Sequence, residues 1–155
     1  MTDAVIRDMT PDDIPIVAAW MVTVPLWQRY GVTVEKASAN FQRGLTNGDW
    51  LLVIDADIPA CGFAWIVPQG AFGRSPYLKQ LGVHLDYAKA GLGGLLLDAA
   101  EARAWDVADD LFLLTSDFNT DAQRFYTRHG YQQIGAIPDY VINGLTELIF
   151  RKRLK

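Results

Sequence analysis

The sequence predicts a mixed α/β domain in which helices flank one central sheet. Three observations carry that expectation. Segments with strand period and segments with helical period interleave along the chain. The apolar stretch Tyr77 to His84 runs through a small-residue loop directly into a helix that starts near Gly91. The continuous apolar run Leu111 to Thr115 has the character of a strand buried on both faces, as parallel pairing requires. A length of 155 residues suits a single domain over 1–155, and an apolar content of 50% with 21% charged residues supports a packed core.

Each element has its own local reason. Val5 to Met9 reads as a short opening strand. Thr10 then offers an N-cap, with Pro11 at the first helical position and acids in the first turn, and the helix is expected to run to about Met21. A second helix over Val34 to Leu45 places Ala37, Phe41 and Leu45 on one stripe before Asn47-Gly48 stops it. The linker between them, Val24 to Gly31, concentrates Pro25, Trp27 and Tyr30 where a loop is normally polar, so it is expected to cover something, either a pocket or the sheet.

Trp50 to Asp55 and Cys61 to Val67 flank Ala56-Asp57-Ile58-Pro59 as an antiparallel hairpin, and Pro68 to Pro76 reads as a loop. In the strand from Tyr77, the spacing of Leu78, Leu81 and Val83 fits one buried face if a bulge interrupts it. The helix after Gly91 is expected to bury Leu92, Leu95, Leu96 and Ala99 and to end near Asp106. A further helix, Asn119 to His129, is capped by Gly130, with Asn119, Ala122 and Tyr126 on one face. Strands near Tyr131 to Gly135 and Thr146 to Lys152 close the chain.

Composition removes several classes of function. A net charge of −4 leaves no basic footprint for nucleic acid, and the cluster Arg151-Lys152-Arg153 is too short to make one. The N-terminus lacks the pattern of a signal peptide and no window is apolar enough to span a bilayer, so a soluble cytoplasmic protein without membrane contact is expected. Cys61 is the single cysteine and reads as core filler; with two histidines, zinc-ligand spacing is absent and no metal is expected.

The chemistry concentrates at Gly91, Gly93 and Gly94. There the backbone is open to a ligand, and a helix start presents unpaired N–H groups and the positive end of its dipole. A phosphorylated ligand suits such a junction, although four residues alone describe a plain helix-entry turn equally well. Leu95-Leu96 stands where a P-loop needs Lys-Ser/Thr, and Gly91-x-Gly93 lacks the third glycine of a dinucleotide fingerprint.

Together these residues resemble the GNAT superfamily of acyl-CoA-dependent N-acetyltransferases over nearly the whole chain. Leu81-Gly82-Val83, the loop and Gly91-Leu92-Gly93 look like its pyrophosphate-binding motif. Asn119, Ala122, Phe125-Tyr126 and Gly130-Tyr131 look like the motif that follows, and Ile137 to Val141 with Gly144 to Lys152 resembles the tail of bacterial members. The resemblance implies a mostly antiparallel twisted sheet of six to seven strands with about four helices, splayed between strands four and five. Ala88 is a departure, because the family usually has Gln or Arg there.

The resemblance further implies acetyl-CoA as cosubstrate, held by Leu81, Gly82, Val83, Ala88, Lys89, Ala90, Gly91, Leu92, Gly93, Gly94, Asn119, Ala122 and Phe125. Backbone N–H groups of Ala88 and its neighbours would grip the pyrophosphate, with Lys89 adding charge. The pantetheine arm would pair with the backbone of Leu81 to Val83, and Tyr126 matches the family's proton donor to the leaving thiolate. Where many members carry a glutamate on the fourth strand, this chain has Tyr77 and Lys79. The base is left open between Asp117 and His84, each of which also reads as an ordinary loop or strand-end residue. His129 is explained by the helix dipole and cap.

Trp27, Tyr30, Trp65 and Tyr77 are the expected substrate-side residues, since aromatic walls suit an aromatic or alkyl amine or cation–π recognition; such rings pack cores equally often. The expected function is transfer of an acetyl group to a primary amine of a small molecule or peptide by direct attack, by a monomer or homodimer. The alternatives are a non-catalytic acyl-CoA-binding sensor or docking module of the same fold, and a nucleotide-binding module built on the glycine loop.

Overall fold

The computed structural model describes residues 3–155. Its elements in chain order are β1 (Val5–Asp8), α1 (Ile14–Met21), α2 (Pro25–Arg29), α3 (Val34–Asn47), β2 (Trp50–Asp55), β3 (Gly62–Ala71), β4 (Ser75–Val83), α4 (Leu92–Trp105), β5 (Asp110–Ser116), α5 (Thr120–Arg128), β6 (Gln132–Pro138) and β7 (Thr146–Arg153). The strands form a seven-stranded sheet in the order β1-β2-β3-β4-β5-β7-β6. Pairing is antiparallel for β1–β2, β2–β3, β5–β7 and β6–β7, and parallel for β4–β5. The mixed sheet and its helices are the architecture expected from the sequence. The β4–β5 ladder registers only Tyr77 with Phe112 and Leu78 with Leu113, at the junction expected to splay, while β5 runs on to Ser116.

The chain divides into two compact units: residues up to Ile66 with Gln80–Ala100, and Val67–Lys79 with Glu101–Lys155. The core of the first is aromatic. Phe63 on β3 meets Trp20 at 6.0 Å, Trp27 at 5.8 Å and Phe41 edge-on at 5.1 Å, and Phe41 stacks toward Trp65 at 5.3 Å. The indole of Trp20 donates to the Ala60 carbonyl at 2.9 Å, so the large ring is buried without stranding its N–H. Ahead of α1, the Asp13 carboxylate accepts from the Thr10 backbone N–H at 2.8 Å and from Arg7, whose guanidinium also reaches Asp55 at 2.8 Å. That network ties β1, β2 and the start of α1 together. Helix α3 begins and ends as its sequence dictates: Thr33 caps Lys36 N–H, and Gly48 takes a left-handed φ of 78°.

In the second unit Leu78, Leu111, Leu113, Tyr126, Tyr131 and Phe150 are buried. The Tyr131 hydroxyl donates to Glu101 at 2.9 Å, and Lys152 meets the other oxygen of the same carboxylate at 2.8 Å. Three ionisable groups from α4, β7 and the start of β6 are thereby satisfied at once.

Three local expectations change. Pro68 to Pro76 is not a loop: β3 continues to Ala71, β4 begins at Ser75, and a tight turn joins them through Phe72 (φ 59°) and Gly73 (φ 65°). Two successive left-handed residues make the type I′ hairpin geometry, and the signal was hidden because Phe, not Asn or Gly, fills the first position. The aromatic linker contains a short helix, α2. The buried stripe of α4 is Leu92, Leu96, Leu97, Ala100 and Ala104, whereas Leu95 is 45% exposed and Ala99 half-buried. Leucines and alanines make up most of that segment, so only packing selects which of them face inward.

Candidate active site

In the first unit, β4 delivers the chain to the glycine loop. A tight 3-10 turn over Leu85–Tyr87 follows Val83 and His84, Gly91 adopts a left-handed φ of 79°, and α4 starts at Leu92. The Leu95 N–H donates to the Gly91 carbonyl at 3.3 Å, closing the first helical turn. The N–H groups of Leu92, Gly93 and Gly94 are thus first-turn donors with no intrahelical acceptor, at the positive end of the dipole. Ala88, Lys89, Ala90 and Gly91 are exposed, and nothing lies within 4 Å of the position a Gly91 Cβ would take.

Not every expected donor is free. Ala88 N–H donates to the Leu85 carbonyl at 3.3 Å and Ala90 N–H to Tyr87 at 3.1 Å. The Ala88 N–H expected to face a pyrophosphate is thus already engaged within the turn. Leu92 is itself a core residue, so only its backbone addresses the loop.

Along β4, Gly82 is buried while Leu81 and Val83 are half-buried. A Cβ on Gly82 would come within 2.2 Å of Trp27 and 2.9 Å of Phe63, so this glycine lets the Trp27 ring lie against the strand. Two residues before it, Gln80 Oε1 is buried without a hydrogen-bond partner. An unsatisfied acceptor next to Leu81 to Val83 suits an amide-bearing arm laid along this strand. His84 Nδ1 accepts from the Asp86 N–H at 3.1 Å, which makes it the N-cap of the turn and leaves Nε2 to carry the proton in the neutral ring. Trp27 and Trp65 are both buried, the latter donating to Asp49 at 2.9 Å, whereas Tyr30 at the end of α2 is half-buried.

In the second unit β5 leads into α5. Asn119 Oδ1 accepts from Ala122 N–H at 3.2 Å and caps the helix, with Ala122 and Phe125 half-buried behind it. Asp117 donates its N–H to the Thr146 carbonyl at 2.9 Å and accepts from Thr146 N–H at 3.3 Å, so the residue clamps the start of β7. The His129 ring contacts the Phe125 carbonyl at 2.8 Å in the last turn of α5, as expected of a cap.

Tyr126 is buried against Phe125 and Tyr131. Burial, with the neighbouring Tyr77, pushes its phenol well above the ordinary tyrosine range. The Tyr77 phenol is pushed up to about 12, by burial first and then by the charge of Glu147 and by Tyr140. Both phenols hold their protons at neutral pH. At the end of β5 the Thr115 hydroxyl is buried without a partner.

Glu147 is a buried acid that the sequence reading did not single out. It stands on β7 opposite Ser116 and is 6% exposed. Its signal was an acid followed directly by the apolar run Leu148 to Phe150 within a strand.

Residues 47–133 match the model of the acetyltransferase (GNAT) domain, and the chain belongs to that family. Among curated proteins none matches the sequence significantly. Solved structures agree in fold. An N-acetyltransferase from Staphylococcus aureus Mu50 superposes with a TM-score of 0.81 at 16% identity, over 99% of this chain and all of that one. A proposed acetyltransferase from Salmonella typhimurium, solved with its cofactor acetyl-CoA, gives 0.77 at 16% identity over 98% and 94% of the two chains. An aminoglycoside 6′-N-acetyltransferase complexed with coenzyme A gives 0.80 at 13% identity over 97% of each.

Among the described residues, no helix is long and apolar enough to cross a membrane.

Proposed function

We propose that the protein is an acetyl-CoA-dependent N-acetyltransferase that acylates a primary amine of a small molecule or peptide by direct attack. The observation that carries this reading is Tyr126: a buried phenol in the motif that starts at the Asn119 cap. Family membership and the CoA-bound relatives support it.

Bound acetyl-CoA supplies an acyl carbon activated by a thiolate leaving group. The first-turn N–H groups of α4, with Lys89, hold the pyrophosphate. The β4 backbone from Leu81 to Val83, with Gln80 Oε1, offers hydrogen bonds to the amide groups of the arm. As the amine nitrogen bonds to the acyl carbon and the C–S bond breaks, Tyr126 gives its hydroxyl proton to the departing sulfur and is reprotonated, through solvent, by the proton that the acylated nitrogen releases. Tyr77, partly exposed on β4, serves the acceptor. The reading sets the enzyme in the cytoplasm, as a monomer or homodimer.

The experiment is release of free thiol from acetyl-CoA with an amine panel, comparing the protein with Tyr126→Phe. Amine-dependent release that collapses in the variant supports the reading, and no release with any amine removes it. A second reading, CoA binding without turnover, draws on the structural engagement of Asp117 and His84, the two base candidates. Tight acetyl-CoA binding by calorimetry without thiol release would favour it.

A further inference from the structure

Within the second unit, Tyr126 does not fix its own direction. Its hydroxyl makes no hydrogen bond to any described residue, so where it presents its proton is set by what packs against the ring. Two aromatic rings do so edge-on: Phe125, its chain neighbour, at 5.1 Å, and Tyr131 at 5.6 Å. Proton transfer needs the donor aligned with its acceptor, and a displacement of about 1 Å lowers a rate by on the order of 100-fold.

A helix stop brings Tyr131 to that place. After α5, Gly130 takes a left-handed φ of 92°; its N–H donates to the Thr127 carbonyl at 3.1 Å, and the Tyr131 N–H donates to the Tyr126 carbonyl at 3.0 Å. This pair of bonds is the Schellman closure, in which the residue after the glycine packs on the residue five positions before it. Tyr131 therefore grips Tyr126 twice, by the backbone and by the ring.

The far end of Tyr131 is anchored outside the motif. Its hydroxyl donates to Glu101 Oε2 at 2.9 Å, while Lys152 Nζ donates to Glu101 Oε1 at 2.8 Å and stands 5.7 Å from the Tyr131 ring centroid. Glu101 comes from α4 and Lys152 from β7, so a helix and a strand beyond α5 hold the ring. The Lys152 stem also closes on the turn, with Cε 3.4 Å from the position a Gly130 Cβ would take. Phenylalanine would fill the same core site; the phenol and its charge-assisted acceptor fix where the ring lies.

Resting on the acetyl-transfer reading, we propose that Tyr131, anchored by Glu101 and Lys152, is the positioning residue for the Tyr126 hydroxyl. Its effect on turnover passes through Tyr126 alone.

The test is a double-mutant cycle on thiol release from acetyl-CoA, with phenethylamine, spermidine or a lysine-containing peptide as acceptor, whichever turns over fastest. Tyr131→Leu removes the ring and should lower kcat by about 10-fold or more, with the KM for acetyl-CoA within about 2-fold of wild type. Tyr131→Phe keeps the ring but releases it from Glu101, and should lower kcat by only about 3-fold. The cycle is therefore readable even if the leucine variant fails to fold. In the Tyr126→Phe background neither replacement should lower the residual turnover further, because the group they position is gone. Unchanged kcat in the folded single variants overturns the proposal, and so does a loss of equal size in both backgrounds, which is what a purely structural role gives. A collapse in Tyr126→Phe beside wild-type kcat in the Tyr131 variants leaves acetyl transfer standing and removes the positioning role. Full turnover in Tyr126→Phe removes the donor and the positioning role together, and no thiol release with any acceptor removes the acetyl-transfer reading and the proposal with it.

Discussion

The Trp27 ring lies directly against Gly82: a Cβ added to the glycine would stand 2.2 Å from the ring carbon Cη2. The aromatic linker and the strand that feeds the glycine loop are thus packed together in one core. Gly82→Ala must push the indole away from Phe63, and such overpacking costs about 1–3 kcal/mol. Thermal unfolding should show a lower Tm for the variant than for wild type. Trp27→Leu in the same background should restore part of the loss, because it removes the ring that the new methyl meets. No recovery in the double variant would show that the glycine serves backbone conformation instead.

Tyr126 should be replaceable by phenylalanine without loss of structure, since its packing against Tyr131 uses the ring. Loss of a positioned general acid lowers turnover by about 100-fold or more. The expected result is a collapse of kcat with CoA affinity and Tm close to wild type. A variant of full activity would remove Tyr126 as donor.

The Glu101 carboxylate holds two partners at once, Tyr131 at 2.9 Å and Lys152 at 2.8 Å. Glu101→Ala should therefore destabilise by about 1–3 kcal/mol, because it leaves the tyrosine hydroxyl and the lysine ammonium without their acceptor. In a urea-denaturation cycle, Tyr131→Phe should cost less in the Glu101→Ala background than alone. Additive costs would show that the hydrogen bond contributes nothing.

Stability should fall in acid through Asp13 and Asp55. The Arg7 guanidinium, hydrogen-bonded to both, holds each carboxyl below the usual carboxylate range. A folded pKa lower than the unfolded one means that the unfolded chain takes up protons first. The contribution is complete above the unfolded value near 4 and is lost as pH drops through the folded value. Equilibrium unfolding from pH 6 to pH 3 should show this decline, and Asp13→Asn should flatten it while lowering stability at pH 6. A decline as steep in the variant would place the acid sensitivity elsewhere.

Legibility in the sequence followed how local the deciding physics is. The Asn47-Gly48 stop of α3, the Gly91 loop and the Gly130 stop after α5 were readable because each depends on a few neighbouring residues, whereas the structure makes Asn119 the N-cap of α5 and not its first helical residue. The Phe72-Gly73 turn was not, since its first left-handed position is filled by a residue that rarely takes it. The candidate residues divided in the same way. Tyr126 stood out within its motif, but nothing in their local sequence tells that Trp27 and Trp65 are core rings or that Asp117 clamps Thr146.

The sequence by itself determined the order of elements, the mixed sheet, the glycine loop and the family resemblance, because periodicity, caps and motif spacing act over short stretches of chain. Only the tertiary structure decided which α4 residues face inward, which loop N–H groups stay available, and that Glu147 joins Tyr77 on one face of the sheet. Those outcomes depend on cross-strand register and burial among residues up to 70 positions apart, such as Tyr77 and Glu147, which no local pattern encodes.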